Sequence, residues 1–422
     1  MKFDEKLREE CAVFGVCVST NEAAGITYNA LLALQHRGQE GSGIAVLKGN
    51  NILYHKNVGL VSEVFHEKVL KKLPMSHLAV GHNRYSTTGS NTVHNVQPFI
   101  TEYLTGRIAT AHNGNITNAR KIKEELKNLG VHFEATSDSE VVSSLIAYYI
   151  VKLGDPLSGV IKAAKQLEGA FSLVVLCGDG KIIAVRDGSG IRPLCIGTHE
   201  DGVCVASETC ALDSCGFTML RDVAPGEVVV MENGQITHSS IELQEQKGCG
   251  LCIFEYVYFA RPDSIIDNLS VYEARYNMGR VLAEEHPVDA DVVCGVPDSG
   301  LEAAIGYSAA SGIPLVSGFV KNRYIGRSFI YPSQAQREDA VRLKLNPLSA
   351  NVRGKRIVMV DDSIVRGTTS KKIVQAMKNA GAKEVHMRIS SPPFLFSCHF
   401  GTDIDSEENL IANRMTLEEI RG

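Results

Sequence analysis

Apolar and polar positions change their rhythm along this chain near residue 250. Before that point, short strand-like runs at Ile182 to Arg186, Val203 to Ala206 and Glu227 to Met231 are set apart by turn signals, and Asn233-Gly234 predicts a hairpin turn. Helical stretches are predicted around Ala24 to His36, Asn118 to Leu129, Ser139 to Lys152 and Pro156 to Gln166. Together they predict an α+β domain with mainly antiparallel sheet. After residue 270, strands expected at Asp291 to Val296, Pro314 to Val320, Arg356 to Val360 and Glu384 to Ser390 alternate with helices, the signature of βαβ units around a parallel sheet. Two domains of different class follow, with no fixed-period repeat and no low-complexity linker.

The densest chemistry lies in IVMVDDSIVRGTTS, Ile357 to Ser370. Ile357, Val358, Met359 and Val360 form the continuous apolar run of a parallel strand covered on both faces. Asp361 and Asp362 then fall at its carboxyl end, where open α/β sheets bind ligands. Ser363, Arg366, Gly367, Thr368 and Thr369 lead into a helical stretch reaching about Asn379, so backbone N–H groups and a helix N-terminus converge on an anion. Paired acids for vicinal hydroxyls and a phosphate cradle one ribose length away suit a sugar phosphate. The plainer alternative is a pair of acids capping a helix. A Walker B strand is excluded because no G-x-x-x-x-G-K-[ST] occurs in the chain. The stretch resembles the phosphoribosyl pyrophosphate signature of type I phosphoribosyltransferases.

Composition changes this picture little. With 422 residues the chain has room for two or three domains, and 44% hydrophobic with 22% charged residues is ordinary for a soluble protein. A net charge of −5 argues against nucleic acid as a partner and gives a polyanionic substrate no long-range attraction. No apolar run approaches the roughly 18 residues of a membrane span, and MKFDEKLREE is too charged for a signal peptide, so a cytoplasmic location is expected. The eleven cysteines are then expected as reduced thiols, metal ligands or catalytic groups.

In CAVFGVCV, Cys11, Val13 and Cys17 share one face of a strand, which by itself reads as a core position. The companion segments LALQHRGQEGSG at 32 to 43, GHNRYSTTGS at 81 to 90, AHNGNITNA at 111 to 119 and TSDSE at 136 to 140 change that reading. Together they resemble the class II glutamine amidotransferases, whose nucleophile is an amino-terminal cysteine. The resemblance implies an N-terminal nucleophile αββα glutaminase over residues 11–245, preceded by a propeptide at 1–10. Its removal would free an α-amine as general base for the Cys11 thiol. By the same resemblance Arg84 grips the glutamine α-carboxylate, Asp138 pairs with the α-amino group, and the Asn113 side chain with the Gly114 N–H forms an oxyanion hole.

A glutaminase followed by an α/β type I phosphoribosyltransferase, assigned to 246–422, resembles the glutamine phosphoribosylpyrophosphate amidotransferase family. That likeness implies hydrolysis of glutamine at Cys11 and transfer of the ammonia to phosphoribosyl pyrophosphate. The products expected are 5-phosphoribosylamine, pyrophosphate and glutamate, in the first committed step of purine synthesis. GVPDSG at 295 to 300 places Asp298 and Ser299 by the crevice, and the family pattern joins Ser299 to Asp361 and Asp362 around Mg²⁺. KNRYIGRSFIYPSQAQREDAVRLK, from Lys321 and Arg323 to Lys344, is either a solvated charged loop or the family's lid over the pyrophosphate. EYVYFARPDS at 255 to 264 matches an interdomain segment.

Cys249 and Cys252 form a CxxC, readable alone as a zinc half-site, a redox pair or chance. A cluster-bearing branch of the family aligns Cys252 and Cys398 with two ligands of a [4Fe–4S] centre. Its carboxyl-terminal CxxC is missing here, so the family's tail is expected to be lacking and the cluster incomplete. The family further implies a homotetramer or dimer with feedback by purine nucleotides. A hexosamine or asparagine synthase would share the first half but not the Ile357 to Ser370 motif. A regulator sensing phosphoribosyl pyrophosphate would bring a DNA-binding domain and a basic surface.

Overall fold

The structure is a computed structural model that describes residues 11–85, 92–243, 250–322, 345–402 and 406–421. The proposed propeptide, Cys249, Arg323 and most of the predicted lid lie outside those residues. In the first half the described strands are β1 (Ala12–Val18), β2 (Gly41–Lys48), β3 (Asn51–Val58), β4 (Leu78–Arg84), β5 (Phe99–Tyr103), β6 (Gly106–Ile116), β7 (Gly169–Cys177), β8 (Ile182–Arg186), β9 (Cys195–His199), β10 (Gly202–Ala206), β11 (Thr218–Asp222), β12 (Glu227–Glu232) and β13 (Gln235–Ile241). They form two sheets, ordered β11-β9-β10-β1-β4-β2-β3 and β13-β12-β8-β7-β6-β5, with antiparallel neighbours throughout.

Alternation along the strands makes this a sandwich. Val13 and Cys17 of β1, Val80 of β4, Ala111 of β6, Val174 of β7 and Val205 of β10 turn inward and share one buried cluster between the sheets. The opposite faces are also apolar. Phe14, Val16 and Ile44 pack under the helix Ala23–Ala33, and Leu173, Val175 and Ile183 under the helices Asp138–Leu153 and Pro156–Ala164. Helices therefore cover both outer faces, giving the expected αββα order. Asn233 and Gly234 have φ of 51° and 75°, the positive pair that a two-residue hairpin between β12 and β13 requires.

The predicted helix from Ala24 to His36 stops at Ala33 instead. The His36 ring lies with Nδ1 3.2 Å from the Ala33 carbonyl and Nε2 2.8 Å from Glu208, so this side chain closes the helix end rather than extending it.

In the second half, the strands Val292–Gly295, Arg356–Asp361 and Glu384–Ile389 pair in parallel, with Arg356–Asp361 in the centre. Its two faces feed separate cores: Ile357 and Met359 pack with Ile373 and Met377 of the helix Thr368–Asn379, whereas Val358 and Val360 pack with Ala303, Ala304 and Tyr307 of the helix Leu301–Ser311. The strand expected over Pro314 to Val320 is a correction. Leu315 makes only an isolated parallel bridge to Val293, while Phe319–Lys321 turns away to pair antiparallel with Leu345–Pro347. Pro314 has no N–H for a ladder, and Gly318 runs so close to Cys294 that an added Cβ would stand 2.6 Å from its sulfur. Among the described residues no helix is long and apolar enough to cross a membrane.

Candidate active sites

Cys11 stands one residue before β1, part-buried. Its sulfur is 3.4 Å from both the N–H and the carbonyl of Tyr85, and Tyr85 follows Arg84 at the end of β4. The β1–β4 ladder, with Ala12 opposite Asn83, is what brings these termini together. Burial pushes the Cys11 thiol up to about 11; the Tyr85 N–H and Arg84 oppose that rise, whereas Asp138 and Glu40 add to it. Arg84 is itself buried, and desolvation lowers its pKa against the pull of Cys11 and Glu40. A thiol held this high is protonated at neutral pH, so its use as a nucleophile requires a base.

Asn113 lies in β6, in the sheet facing β1. Both polar atoms of its amide are buried without a hydrogen-bond partner among the described residues, an arrangement that burial disfavours unless a ligand completes it. Gly114 follows with φ of 136°, and a Cβ there would stand 2.0 Å from the Ala170 carbonyl, so only glycine fits. Asp138 opens the helix Asp138–Leu153 and accepts the Ile116 N–H at 2.9 Å, which ties it to the end of β6. Its second neighbour is His112, whose Nδ1 is 4.0 Å from the carboxylate and 3.0 Å from the Ser139 hydroxyl. Arg84 and Asp138 are thus both near enough to Cys11 to influence its thiol, in opposite directions.

Behind Cys11 sits a buried network that the motifs contained but to which no role was attached. Arg37, of the QHRG segment, donates to the Cys11 carbonyl at 3.2 Å and to Glu208 at 2.6 Å. It also forms a two-bond pair with Glu255, each bond 2.8 Å. Glu208 further accepts from the Arg261 N–H and the Ser264 hydroxyl. Although burial opposes its charge, the adjacent His36 and Arg37 hold the Glu208 carboxyl well below the usual carboxylate range. The legible signal for this network was a charged residue inside the apolar run FEYVYF, since an acid there is buried only if paired.

The second site lies at the carboxyl end of Arg356–Asp361. Asp361 and Asp362 are 2% and 3% exposed, so both acids are sunk into the sheet edge. Ser299 and Ser363 each donate a hydroxyl to the Asp362 carboxylate, and the Asp362 N–H donates to Asp361 at 3.0 Å. Gly367 is the N-cap of Thr368–Asn379 with φ of 83°, and it offers no side-chain oxygen to the first-turn N–H groups of Thr368 and Thr369. Lys321 reaches this rim, where it forms an ion pair with Asp298. Three oxygen donors from Ser299, Asp361 and Asp362 fit a hard cation such as Mg²⁺.

Cys252 and Cys398 are both part-buried, and the Cys398 thiol is near enough to add to the rise that burial imposes on the Cys252 thiol. Among the described residues neither belongs to a group of three or more convergent metal ligands. Two thiols are half of a four-thiolate set, so the residues described here do not by themselves complete a cluster.

The fold and these two centres define a glutaminase joined to a phosphoribosyltransferase. Residues 82–214 match the glutamine amidotransferase domain, and residues 272–390 match the phosphoribosyl transferase domain. Amidophosphoribosyltransferase from Archaeoglobus fulgidus is 48% identical over 97% of this chain and 89% of its own length. The Synechocystis protein of the same name is 50% identical over 99% and 84%. A solved structure of glutamine phosphoribosylpyrophosphate amidotransferase from B. subtilis, complexed with ADP and GMP, superposes with a TM-score of 0.88 at 45% identity, covering 97% of this chain and 88% of that one. The chain belongs to the amidophosphoribosyltransferase family.

Proposed function

We propose that this protein hydrolyses glutamine at Cys11 and passes the ammonia to phosphoribosyl pyrophosphate, giving 5-phosphoribosylamine, pyrophosphate and glutamate. The observation that carries the reading is the buried, unpartnered Asn113 amide in a chain that also holds Cys11 within reach of Arg84 and Asp138 and sinks two acids at a parallel strand end. The Cys11 sulfur attacks the amide carbon of glutamine, ammonia leaves, and water cleaves the resulting thioester to glutamate. Asn113 Nδ2 and the Gly114 N–H donate to the oxygen that becomes negative in that step. Arg84 holds the substrate carboxylate and Asp138 its α-amino group. With the thiol raised to about 11, loss of residues 1–10 supplies the missing base as the Cys11 α-amine.

At the second site ammonia attacks C1 of the sugar and pyrophosphate departs. Asp361 and Asp362 bind the ribose hydroxyls, Ser363, Arg366, Gly367, Thr368 and Thr369 surround the 5-phosphate, and Lys321 with Arg323 serves the pyrophosphate. Ser299, Asp361 and Asp362 would hold Mg²⁺, which would supply charge neutralisation for the pyrophosphate. Cys252 and Cys398 form half of a structural [4Fe–4S] site, and no step depends on it. The nucleotides bound to the B. subtilis relative support purine nucleotide feedback here, in a homotetramer or dimer in the cytoplasm. Pyrophosphate release from phosphoribosyl pyrophosphate and Mg²⁺, compared with glutamine and with concentrated ammonium salt as donor, tests the whole reading. Release with both donors is expected; release with neither defeats it.

A further inference from the structure

The strand β5 stops pairing with β6 just short of Asn113, and a single side chain takes over from it. Phe99 stands opposite Thr110, so two residues further along the same register Gln97 would face His112. Pro98 has no N–H to carry the ladder on. The Gln97 main chain leaves β6 for the other sheet, where a Cβ added at Gly43 of β2 would stand 2.1 Å from the Gln97 carbonyl. Its side-chain amide stays behind and copies a peptide group: Oε1 accepts the His112 N–H at 2.7 Å, and Nε2 donates to the His112 carbonyl at 3.1 Å. The same Nε2 donates to the Ser139 hydroxyl oxygen at 3.1 Å. Gln97 is 3% exposed, so water cannot replace these bonds if they are lost.

Both partners of the Gln97 amide are chain neighbours of groups assigned to the substrate. His112 precedes Asn113, and Ser139 follows Asp138. The His112 carbonyl also accepts from His82 Nε2 at 3.0 Å, and His82 lies two residues before Arg84. Asn95 pairs in the same peptide-like way with Thr136, donating to its hydroxyl at 2.9 Å and accepting its N–H at 3.0 Å. Lys56 Nζ holds the carbonyls on either side of Gln97, Val96 at 2.6 Å and Pro98 at 3.2 Å. Beyond Gly114 the Ile116 N–H ties β6 to the Asp138 carboxylate, and Gln97 supplies the tie before Asn113. The oxyanion donors are therefore bracketed. Asp138 and the Asn113–Gly114 donors would grip opposite ends of an amino-acid amide, so their separation sets the length of side chain that can react. We propose that Gln97 is a positioning residue that fixes this span and thereby selects glutamine over asparagine, the amide one methylene shorter. The inference rests on the glutamine site proposed above.

The test uses the full chain and compares the wild type with Gln97→Met, which keeps the length of the side chain and makes none of its three bonds. Hydrolysis of glutamine and of asparagine is read as kcat and KM, beside ammonia-dependent pyrophosphate release. The wild type is expected to favour glutamine by at least the roughly 10- to 200-fold that one methylene is worth in a pocket. Gln97→Met should lose about 10²-fold in kcat/KM for glutamine, the cost of a misplacement of about 1 Å. Asparagine should lose less, so that the ratio of the two falls by at least about tenfold, while ammonia-dependent release stays within about twofold. Ser139→Ala removes one of the three bonds; it should move the ratio the same way by less, and it supplies the readout if Gln97→Met does not fold. An unchanged ratio in the active variants overturns the proposal even where both rates fall, since a residue of the fold alone would lower them equally. A wild type that does not discriminate overturns it, as do active variants that cleave no asparagine and loss of ammonia-dependent release in both variants. All of these spare the function as long as the wild type hydrolyses glutamine; a wild type that does not overturns the two together.

Discussion

The two sites are built on opposite plans. Cys11, Arg84, Asn113, Gly114 and Asp138 lie in or beside three strands and at a helix start, spread over more than a hundred residues of one domain whose two antiparallel sheets stack. Asp361 through Thr369 arrive as one strand, one loop and one helix start, with Ser299 added from the neighbouring parallel strand's loop. A stacked sandwich can enclose its reactive atoms, and it leaves Asn113 buried and unpartnered. A parallel strand end instead presents a crevice, sinking only the acids and leaving Ser363 and Gly367 part-exposed. The enclosed plan suits an intermediate that water must not reach too early; the open one suits a large charged substrate.

The sharpest break between the halves is expected from Cys11→Ala. Glutamine-dependent pyrophosphate release should fall by up to about 10⁶-fold, the loss typical of a deleted nucleophile, while ammonia-dependent release stays within about twofold of wild type. Parallel loss with ammonia would mean that the halves do not work separately. Asp362→Asn probes the other side. Removal of a buried carboxylate that anchors Ser299 and a proposed cation should lower release with both donors by at least about 10²-fold, because several kcal/mol of transition-state stabilisation goes with it. Retained activity with ammonia alone would remove Asp362 from the assignment.

Asn113→Ala should be smaller and one-sided. Loss of one oxyanion donor typically lowers kcat by about 10²- to 10³-fold, here for glutamine hydrolysis only. The variant also removes two unsatisfied buried polar atoms, so its thermal midpoint should not fall as far as an ordinary core truncation. An unchanged glutaminase rate would leave the orphaned amide without a chemical role.

The contrast also explains what the sequence made legible. The Asp361 site is contiguous, so its apolar run, acids and small-residue turn could be read in order, and both core faces of Ile357 to Val360 came out as expected. The Cys11 site was not legible from Cys11, whose neighbours Val13 and Cys17 do belong to the inter-sheet core. It became readable only through four separate segments that share a family pattern. Helix ends and the Pro314 to Val320 stretch were misread for local reasons: His36 serves Glu208 instead of a last helical turn, and Gly318 is pressed against Cys294. The Arg37, Glu208 and Glu255 contacts were beyond periodicity altogether, because each joins residues of unrelated segments through charge. Paired burial of that kind is decided by tertiary packing and leaves only a weak mark, an acid or a base inside an apolar run.

The last comparison is of acid stability, and it turns on His82. This ring is fully buried in β4, with Nε2 3.0 Å from the His112 carbonyl, so Nε2 carries the proton, while Nδ1 has no partner among the described residues. Burial pushes its pKa down to about 3; His112, Arg84 and Lys56 push the same way, and only the bond to the His112 carbonyl resists. The unfolded ring titrates near about 6.5, so protons bind the unfolded chain first as pH falls. The folded pKa of this base is depressed, so its contribution to stability is complete above the unfolded value of about 6.5 and is lost progressively as pH falls from there to the folded value of about 3. The slope is about 1.4 kcal/mol per pH unit. No histidine of the second half is buried in this way among the described residues. Acidification from pH 7 to 5 should accordingly open amides of β4 and β6 to hydrogen exchange before those of the strand Arg356–Asp361. His82→Gln keeps a donor for the His112 carbonyl and cannot titrate, so it should flatten the pH dependence of the first domain alone. Equal slopes in variant and wild type would return His82 to the ordinary core and leave the acid response to other groups, first among them His112, whose pKa burial also lowers against the pull of Asp138.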